Sequence, residues 1–316
     1  MITKDQIIEA HSRVKPYIKK TPVIISDELN TLLGCSLFFK CENLQEVGAF
    51  KSRGAMNAIL SLHKDDLMKG VATHSSGNHA QALARAAQIL KVPAYIVMPS
   101  TAPEIKKQGV KYYGGEIFEC EPNLPSREST LADVISKTGA AEIHPFNNKE
   151  VITGQATCTK ELIDEIGFLD AIICPVGGGG LLSGTLLASH FFGNGIVYAG
   201  EPEGADDTFR SVNSGKIEPS QSNSVADGLL TSLGSLTFPI IHKNITEVIT
   251  VNDKEIISAM KIVWEKLKII VEPSGVVPFA AIIKRKELFK GKKIGVIFSG
   301  GNVDLKRAFQ LFESLN

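Results

Sequence analysis

Four short segments of this chain carry residue types that chemistry needs. Gly48-Ala49-Phe50-Lys51-Ser52-Arg53-Gly54 sets one lysine among small and apolar neighbours, where an extended segment gives way to a helix. Desolvation beside an aromatic ring strips charge from an amine and makes it a nucleophile toward a carbonyl, which a Schiff-base lysine requires. Gly177-Gly178-Gly179-Gly180 lies between an apolar run and a helix. Without Cβ atoms its N–H groups can close around a phosphate, and the helix beginning at Leu181 aims its positive end there. A flexible turn needs only one or two glycines. The dinucleotide spacing G-x-G-x-x-G fails, since Leu182 and Ser183 fill both places for its third glycine, and no G-K-[ST] ending follows; a phosphomonoester fits better. Ser75-Ser76-Gly77-Asn78-His79 offers hydroxyls, an amide and main-chain N–H groups that can grip a carboxylate or a phenolic oxygen, where a simple helix cap would use one serine. Ser299-Gly300-Gly301-Asn302 is a further polar turn.

These turns need a scaffold, and the hydrophobic pattern predicts an α/β one. Apolar runs read as strands at Leu37–Glu42, Val71–Thr73, Ala94–Met98, Glu116–Cys120, Ala171–Val176, Val197–Ala199, Val248–Val251 and Ile294–Phe298. Helical stretches between them include Ala80–Leu90, Glu104–Lys111 and Leu181–Phe192. Thr3-Lys4-Asp5-Gln6 and Asn252-x-x-Glu255 have the capping-box pattern, and Ile256, Met260, Val263 and Leu267 share one helical face. Strands alternating with helices imply βαβ units and a mostly parallel sheet, whose ligands sit at the strand ends where these turns fall. Gly204 to Leu230 reads as one long irregular stretch.

Composition narrows the classes. A chain of 316 residues predicts two packed domains. Lys+Arg and Asp+Glu balance at 34 each, so no net field draws the protein to nucleic acid or to an anionic membrane. The five cysteines form no C-x-x-C, the N-terminus has no apolar signal region, and no run of apolar residues is long enough for a membrane span. The expectation is a cytoplasmic protein with free thiols. The seven histidines show no metal-ligand spacing, and Trp264 reads as a packing residue.

Together these pieces resemble the fold-type II pyridoxal-phosphate enzymes, the serine/threonine dehydratase family. The resemblance is carried by Gly48 through Ala55, Ser75 through His79, Pro175 through Gly180, Glu201-Pro202 with Ala205-Asp206-Asp207, Ala226-Asp227-Gly228 and Ser299 through Asn302. It runs from Thr21-Pro22 to Asp304. It implies a large cofactor-binding domain of residues 1–65 and 147–316, with a small domain of residues 66–146 that closes over substrate. Lys51 would bind the aldehyde of pyridoxal 5'-phosphate and later act as base on one face of the substrate Cα. Phe50 would flank the ring, Asn78 would meet its phenolic oxygen, Ser299 its pyridine nitrogen, and Gly177, Gly178, Gly179, Gly180 and Leu181 its phosphate. A neutral hydroxyl at the pyridine makes a weaker electron sink than a carboxylate would enforce. Ser75, Ser76, Asn78 and His79 would take the substrate carboxylate, with Arg127 nearby.

Ser76 separates the two enzymatic readings. A racemase needs an acid/base on each face, and the resemblance gives Lys51 to L-serine and Ser76 to D-serine. It implies interconversion of L- and D-serine with α,β-elimination of serine to pyruvate and ammonia. The alternative is an L-serine/L-threonine dehydratase without racemase activity, which commonly has alanine at this place; a silent cofactor-binding protein is a third reading. Glu201, Ala205 and Asp207 match the family's divalent-cation loop, where carboxylates, a carbonyl and waters suit Mg²⁺ or Ca²⁺. Gln81, Tyr113, Lys268 and Asn302 match contacts for ATP as an effector between subunits of a homodimer, although Glu46-Val47 replaces another of those contacts. Phe146 replaces an asparagine near the cofactor, and Glu272 lines the cofactor with its role open.

Overall fold

The computed structural model describes residues 2–75, 77–102, 104–193 and 195–315; Ser76, the expected second acid/base, lies outside the described residues. The strands are β1 (Val23–Ile24), β2 (Ser36–Cys41), β3 (Val71–His74), β4 (Ala94–Pro99), β5 (Glu116–Cys120), β6 (Ala141–Glu142), β7 (Ala171–Pro175), β8 (Ile196–Pro202), β9 (Glu247–Val251) and β10 (Lys293–Phe298). They form a six-stranded sheet ordered β1-β2-β10-β7-β8-β9 and a four-stranded sheet ordered β5-β4-β3-β6. Among them only β1 and β2 pair antiparallel. The expected α/β class, with mostly parallel sheets flanked by helices, is what the chain adopts.

Both capping boxes form. The Thr3 side chain accepts from the Gln6 N–H and Asn252 from the Glu255 N–H, and each partner reaches back to the cap residue's own N–H. Strand β8 runs to Pro202, past the expected Ala199, because Glu201 and Pro202 stay in register with Thr250 and Val251 of β9. The stretch from Gly204 is less irregular than its composition suggests: Asp207–Ser214 is helical. Helix Lys149–Ile166 carries no clear sequence signal, since it is enclosed by neighbours and shows no polar stripe. Glycine lets it approach the helix Lys51–Leu60, where a Cβ on Gly154 would lie 2.7 Å from the Arg53 carbonyl oxygen.

Two large cores flank the six-stranded sheet. Phe39, Phe279 and Phe298 pack in one, and Leu162, Ile172 and Leu182 in the other. The four-stranded sheet packs Val71, Leu83 and Ile96 together with Val14, Met56, Ile59 and Val151 from outside residues 66–146. Helix Lys51–Leu60 therefore supports the four-stranded sheet from outside residues 66–146.

That support is pinned by a buried ion cluster. Arg53 is fully buried, and its guanidinium spends all five N–H groups on Glu42, Glu161 and Thr157 at 2.7–3.2 Å. Lys40 donates to Glu161 and to the Thr21 carbonyl, both at 2.8 Å. Burial by itself would raise the Glu161 pKa, but His11, Arg53 and Lys40 outweigh it and hold the carboxyl well below the usual 4.5. A carboxylate depressed in the fold contributes stability that is present above its unfolded pKa and lost as pH falls below it. Urea unfolding is thus expected to show stability declining from about pH 4.5 downward, with Glu161→Gln weakening that dependence. Arg53→Met, which strands two buried carboxylates, is expected to lose roughly 3–5 kcal/mol at neutral pH.

Candidate active site

The segment carrying Lys51 is bolted to the turn after β10 by main-chain bonds. The Phe50 N–H donates to the Ser299 carbonyl (3.0 Å), the Gly301 N–H donates to the Gly48 carbonyl (2.9 Å), and Ala49 bridges Gly300. Gly48 has φ +69°, and a Cβ there would lie 2.5 Å from Asn302 Oδ1, so both backbone shape and close approach call for glycine. Lys51 then opens the helix Lys51–Leu60. Its residue is only half-buried, yet its amino end is enclosed: Nζ donates to the Pro145 carbonyl at 2.8 Å and lies 5.1 Å from the centre of the Phe50 ring. Loss of hydration pushes its pKa down to about 8.

The glycine turn follows β7 as expected, with helix Gly180–Phe192 rising from it. Gly179 adopts φ +86°. A Cβ on Gly177 would lie 2.8 Å from Leu229 Cα, one on Gly179 2.7 Å from Ile241, and one on Gly178 would enter the Phe146 ring. Among the described residues no acceptor takes the N–H groups of Gly177, Gly178 or Gly179. A close-walled turn of free donors at a helix N-terminus suits a phosphate. Phe146, which stands where the family pattern has asparagine, packs its ring over this turn. Because Phe146 directly follows Pro145, the amine and the glycines meet through one tight strap. Leu181 is buried in the first turn of the helix.

Asn78 opens the helix Asn78–Leu90 and is held at both amide atoms. Its Nδ2 donates to Glu272 Oε1 (2.9 Å), and its Oδ1 accepts from Asn302 Nδ2 (2.9 Å). Glu272 Oε2 takes the Asn302 main-chain N–H at 3.0 Å. This arrangement fixes which way the Asn78 amide points and leaves its second N–H as a donor. Burial, with Asp227 nearby, pushes Glu272 up to about 8. Glu272 thus has the role that its sequence position left open: it orients Asn78. Its partners come from two distant segments, and no local pattern signals that.

Ser75 and Ser299 lie at the ends of β3 and β10, and Ser299 is buried. His79 is buried, with its Nε2 3.0 Å from the Ile143 carbonyl and its pKa pushed down to about 3 by burial and by Lys51. Its imidazole is therefore neutral, and its proton is committed to Ile143. Arg127, in the helix Leu124–Thr138, has a buried Nε without a partner among the described residues and lies near His74. Of the expected nucleotide contacts, Gln81 packs against Gly109, Tyr113 against Tyr112, and Lys268 ends a helix in left-handed conformation. Asn302 donates to the Val47 carbonyl and to Asn78 Oδ1.

At the end of β8, both oxygens of Glu201 accept main-chain N–H groups, from Thr208 (2.7 Å) and Phe209 (2.8 Å). Asp207 is buried with neither oxygen bonded among the described residues; Ser220 and the Leu233 N–H temper its charge without closing a bond. Burial pushes Glu201 up to about 8 and Asp207 up to about 7. The unbonded Asp207 carboxylate, with the buried Glu201 and the Ala205 backbone, fits a hard cation completed by oxygen ligands. Among the described residues no third His, Cys, Asp or Glu joins them.

The family model for pyridoxal-phosphate dependent enzymes matches residues 14–300. The chain belongs to that family. It is 51% identical over 310 residues to a serine racemase of Dictyostelium discoideum, covering 96% of each chain. It is 50% identical over 307 residues to a beta-hydroxyaspartate dehydratase of Paracoccus denitrificans, covering 96% of this chain and 98% of that one. The crystal structure of the Dictyostelium serine racemase superposes with a TM-score of 0.92 over 96% of this chain and 99% of that one. No helix of the described residues is long and apolar enough to cross a membrane.

A desolvated lysine titrates early. In protein freed of cofactor, acylation of Lys51 followed by peptide mass mapping is expected to rise with a midpoint near pH 8, against 10.5 for an ordinary lysine. A midpoint with the surface lysines would mean that the amine is hydrated.

Proposed function

We propose that this protein interconverts L- and D-serine and also eliminates water from serine to give an enamine, whose hydrolysis yields pyruvate and ammonia. One observation carries the reading: the enclosed amine of Lys51 and the four-glycine turn converge on the Pro145–Phe146 strap. Pyridoxal phosphate, when bound, supplies an aldehyde for amines and a ring that withdraws electrons from the substrate Cα. The residues do the rest. Free N–H groups of Gly177 to Gly179 and the helix end at Gly180–Leu181 hold the phosphate. The remaining N–H of Asn78, aimed by Glu272 and Asn302, points a donor at the phenolic oxygen, and the Ser299 hydroxyl serves the ring nitrogen. Lys51 Nζ, kept partly uncharged by burial, would hold the cofactor at its aldehyde and, when free, would take the α-proton from L-serine. Ser76 gives and takes the proton on the opposite face, while the loop from Ser75 to His79, with Arg127, receives the carboxylate. Residues 66–146 close on residues 1–65 and 147–316 to exclude water.

Mg²⁺ or Ca²⁺ at Glu201, Asp207 and the Ala205 carbonyl belongs to the same reading, as does a cytoplasmic homodimer. ATP bound by Gln81, Tyr113, Lys268 and Asn302 completes it, and adding ATP to the turnover assay checks that point. A second reading, dehydration of 3-hydroxyaspartate, is favoured by the Paracoccus relative and by the unpartnered Nε of Arg127, which suits a second carboxylate.

Turnover of L-serine, scored for both D-serine and pyruvate, separates the readings. Wild type is expected to form both products, Ser76→Ala to keep pyruvate and lose D-serine, and Lys51→Ala to lose both with the yellow cofactor absorbance. Pyruvate without D-serine from wild type would leave a dehydratase, and preference for 3-hydroxyaspartate would move the substrate. For the cation, chelation is expected to lower the melting temperature at pH 8, with Mg²⁺ or Ca²⁺ restoring it. Asp207→Asn should abolish that response without destabilising the chelated protein, because it removes a buried unpaired charge.

A further inference from the structure

Lys51 must let go of the aldehyde each time a substrate amine replaces it, and a free lysine on a four-carbon stem loses its aim. We infer that the Pro145 carbonyl, held in place by His144, is the dock that catches the freed Lys51 amine and aims it at the substrate. This deepens the proposed function and rests on Lys51 acting there as attachment point and base.

The geometry begins at the amine, whose hydrogen bond to the Pro145 oxygen is 2.8 Å. A single carbonyl orients an amine only if the carbonyl itself is rigid. His144 provides that rigidity from the residue before. Its Nδ1 accepts two main-chain N–H groups, from Phe146 at 3.3 Å and Asn147 at 2.9 Å, closing the turn as an asparagine cap would. The Phe146 ring stands edge-on to the imidazole, with centres 4.5 Å apart at 90°. On the far side, Asn147 Oδ1 accepts the Leu236 N–H at 2.7 Å and its Nδ2 donates to the Ser235 hydroxyl. The strap is thereby fixed at both ends, and its Pro145 carbonyl faces Lys51.

Holding two donors requires a lone pair on Nδ1, hence a neutral ring protonated on Nε2. Burial first, then His74 and Lys51, push the His144 pKa down to about 4, so the acceptor persists through neutral pH. His144 is a positioning residue: it reaches the chemistry only through Pro145 and Lys51.

Substitution at His144 tests this through atom reach. Asparagine places Oδ1 where Nδ1 sits, whereas glutamine moves its oxygen one carbon too far. In holoenzyme, His144→Gln and His144→Ala are expected to lower kcat for serine by roughly ten- to a hundredfold, with a smaller change in KM and the cofactor absorbance retained. His144→Asn should recover most of the rate. In the cofactor-free full chain, the Lys51 acylation midpoint should fall by about one unit in the glutamine and alanine variants, since a carbonyl acceptor favours the ammonium. It should return toward the wild-type value with asparagine. If alanine prevents folding, the asparagine–glutamine contrast carries the test. Equal rates and equal Lys51 midpoints for asparagine and glutamine would overturn the inference. The acylation readout needs no turnover, so a protein inactive on serine would defeat the proposed function and leave this result readable.

Discussion

The pairing of Arg53 with Glu42 and Glu161 is the constraint on which the rest of the architecture depends. Four full charges lie out of water there, two positive and two negative, and Arg53 satisfies every donor it has. Such a cluster contributes little net stability over a well-packed apolar core, but it tolerates only one geometry. It joins β2, the turn after it, helix Lys51–Leu60 and helix Lys149–Ile166. Lys51 sits two residues from Arg53 at the start of that helix, so its position follows from where the guanidinium is clamped. The same helix packs on the four-stranded sheet and is tied to β2 through Glu161 and Lys40, so the Lys51 amine is placed by a support linked to both sheets.

Around that anchor, the site sets its proton affinities by withholding water. Lys51 is held low and Glu272 high by the same loss of hydration, acting on opposite charge types. His79 and His144 are kept neutral, so each presents one donor and one acceptor with fixed tautomers. Neutral partners surround the reacting centre, and the strongest donors left free are main-chain N–H groups of the glycine turn. Asp207 is the exception, a buried carboxylate without a donor among the described residues, at the start of the helix Asp207–Ser214.

Some features were legible in the chain because they are local. Strand and helix alternation follows from hydrophobic period, the capping boxes from residues three apart, and the glycine turn from four consecutive residues without side chains. Lys51 stood out as a lysine in apolar company, and the family followed from several motifs in order. Other features escape local reading. Helix Lys149–Ile166 is enclosed all round and so lacks a polar stripe, and Asp207–Ser214 hides in a stretch of turn-forming residues.

The sequence by itself determined the fold class and the family and singled out the Lys51 segment and the four-glycine turn, because each is written in neighbouring residues whose periodicity or lack of side chains has one physical meaning. Tertiary structure alone decided that Glu272 and Asn302 orient Asn78, that His79 is spent on Ile143, that Asp207 lacks a partner, and that Pro145 faces Lys51. These are contacts between segments up to 255 residues apart, as with Asn302 and Val47. Hydrogen-bond geometry and loss of hydration exist only once the chain has closed on itself.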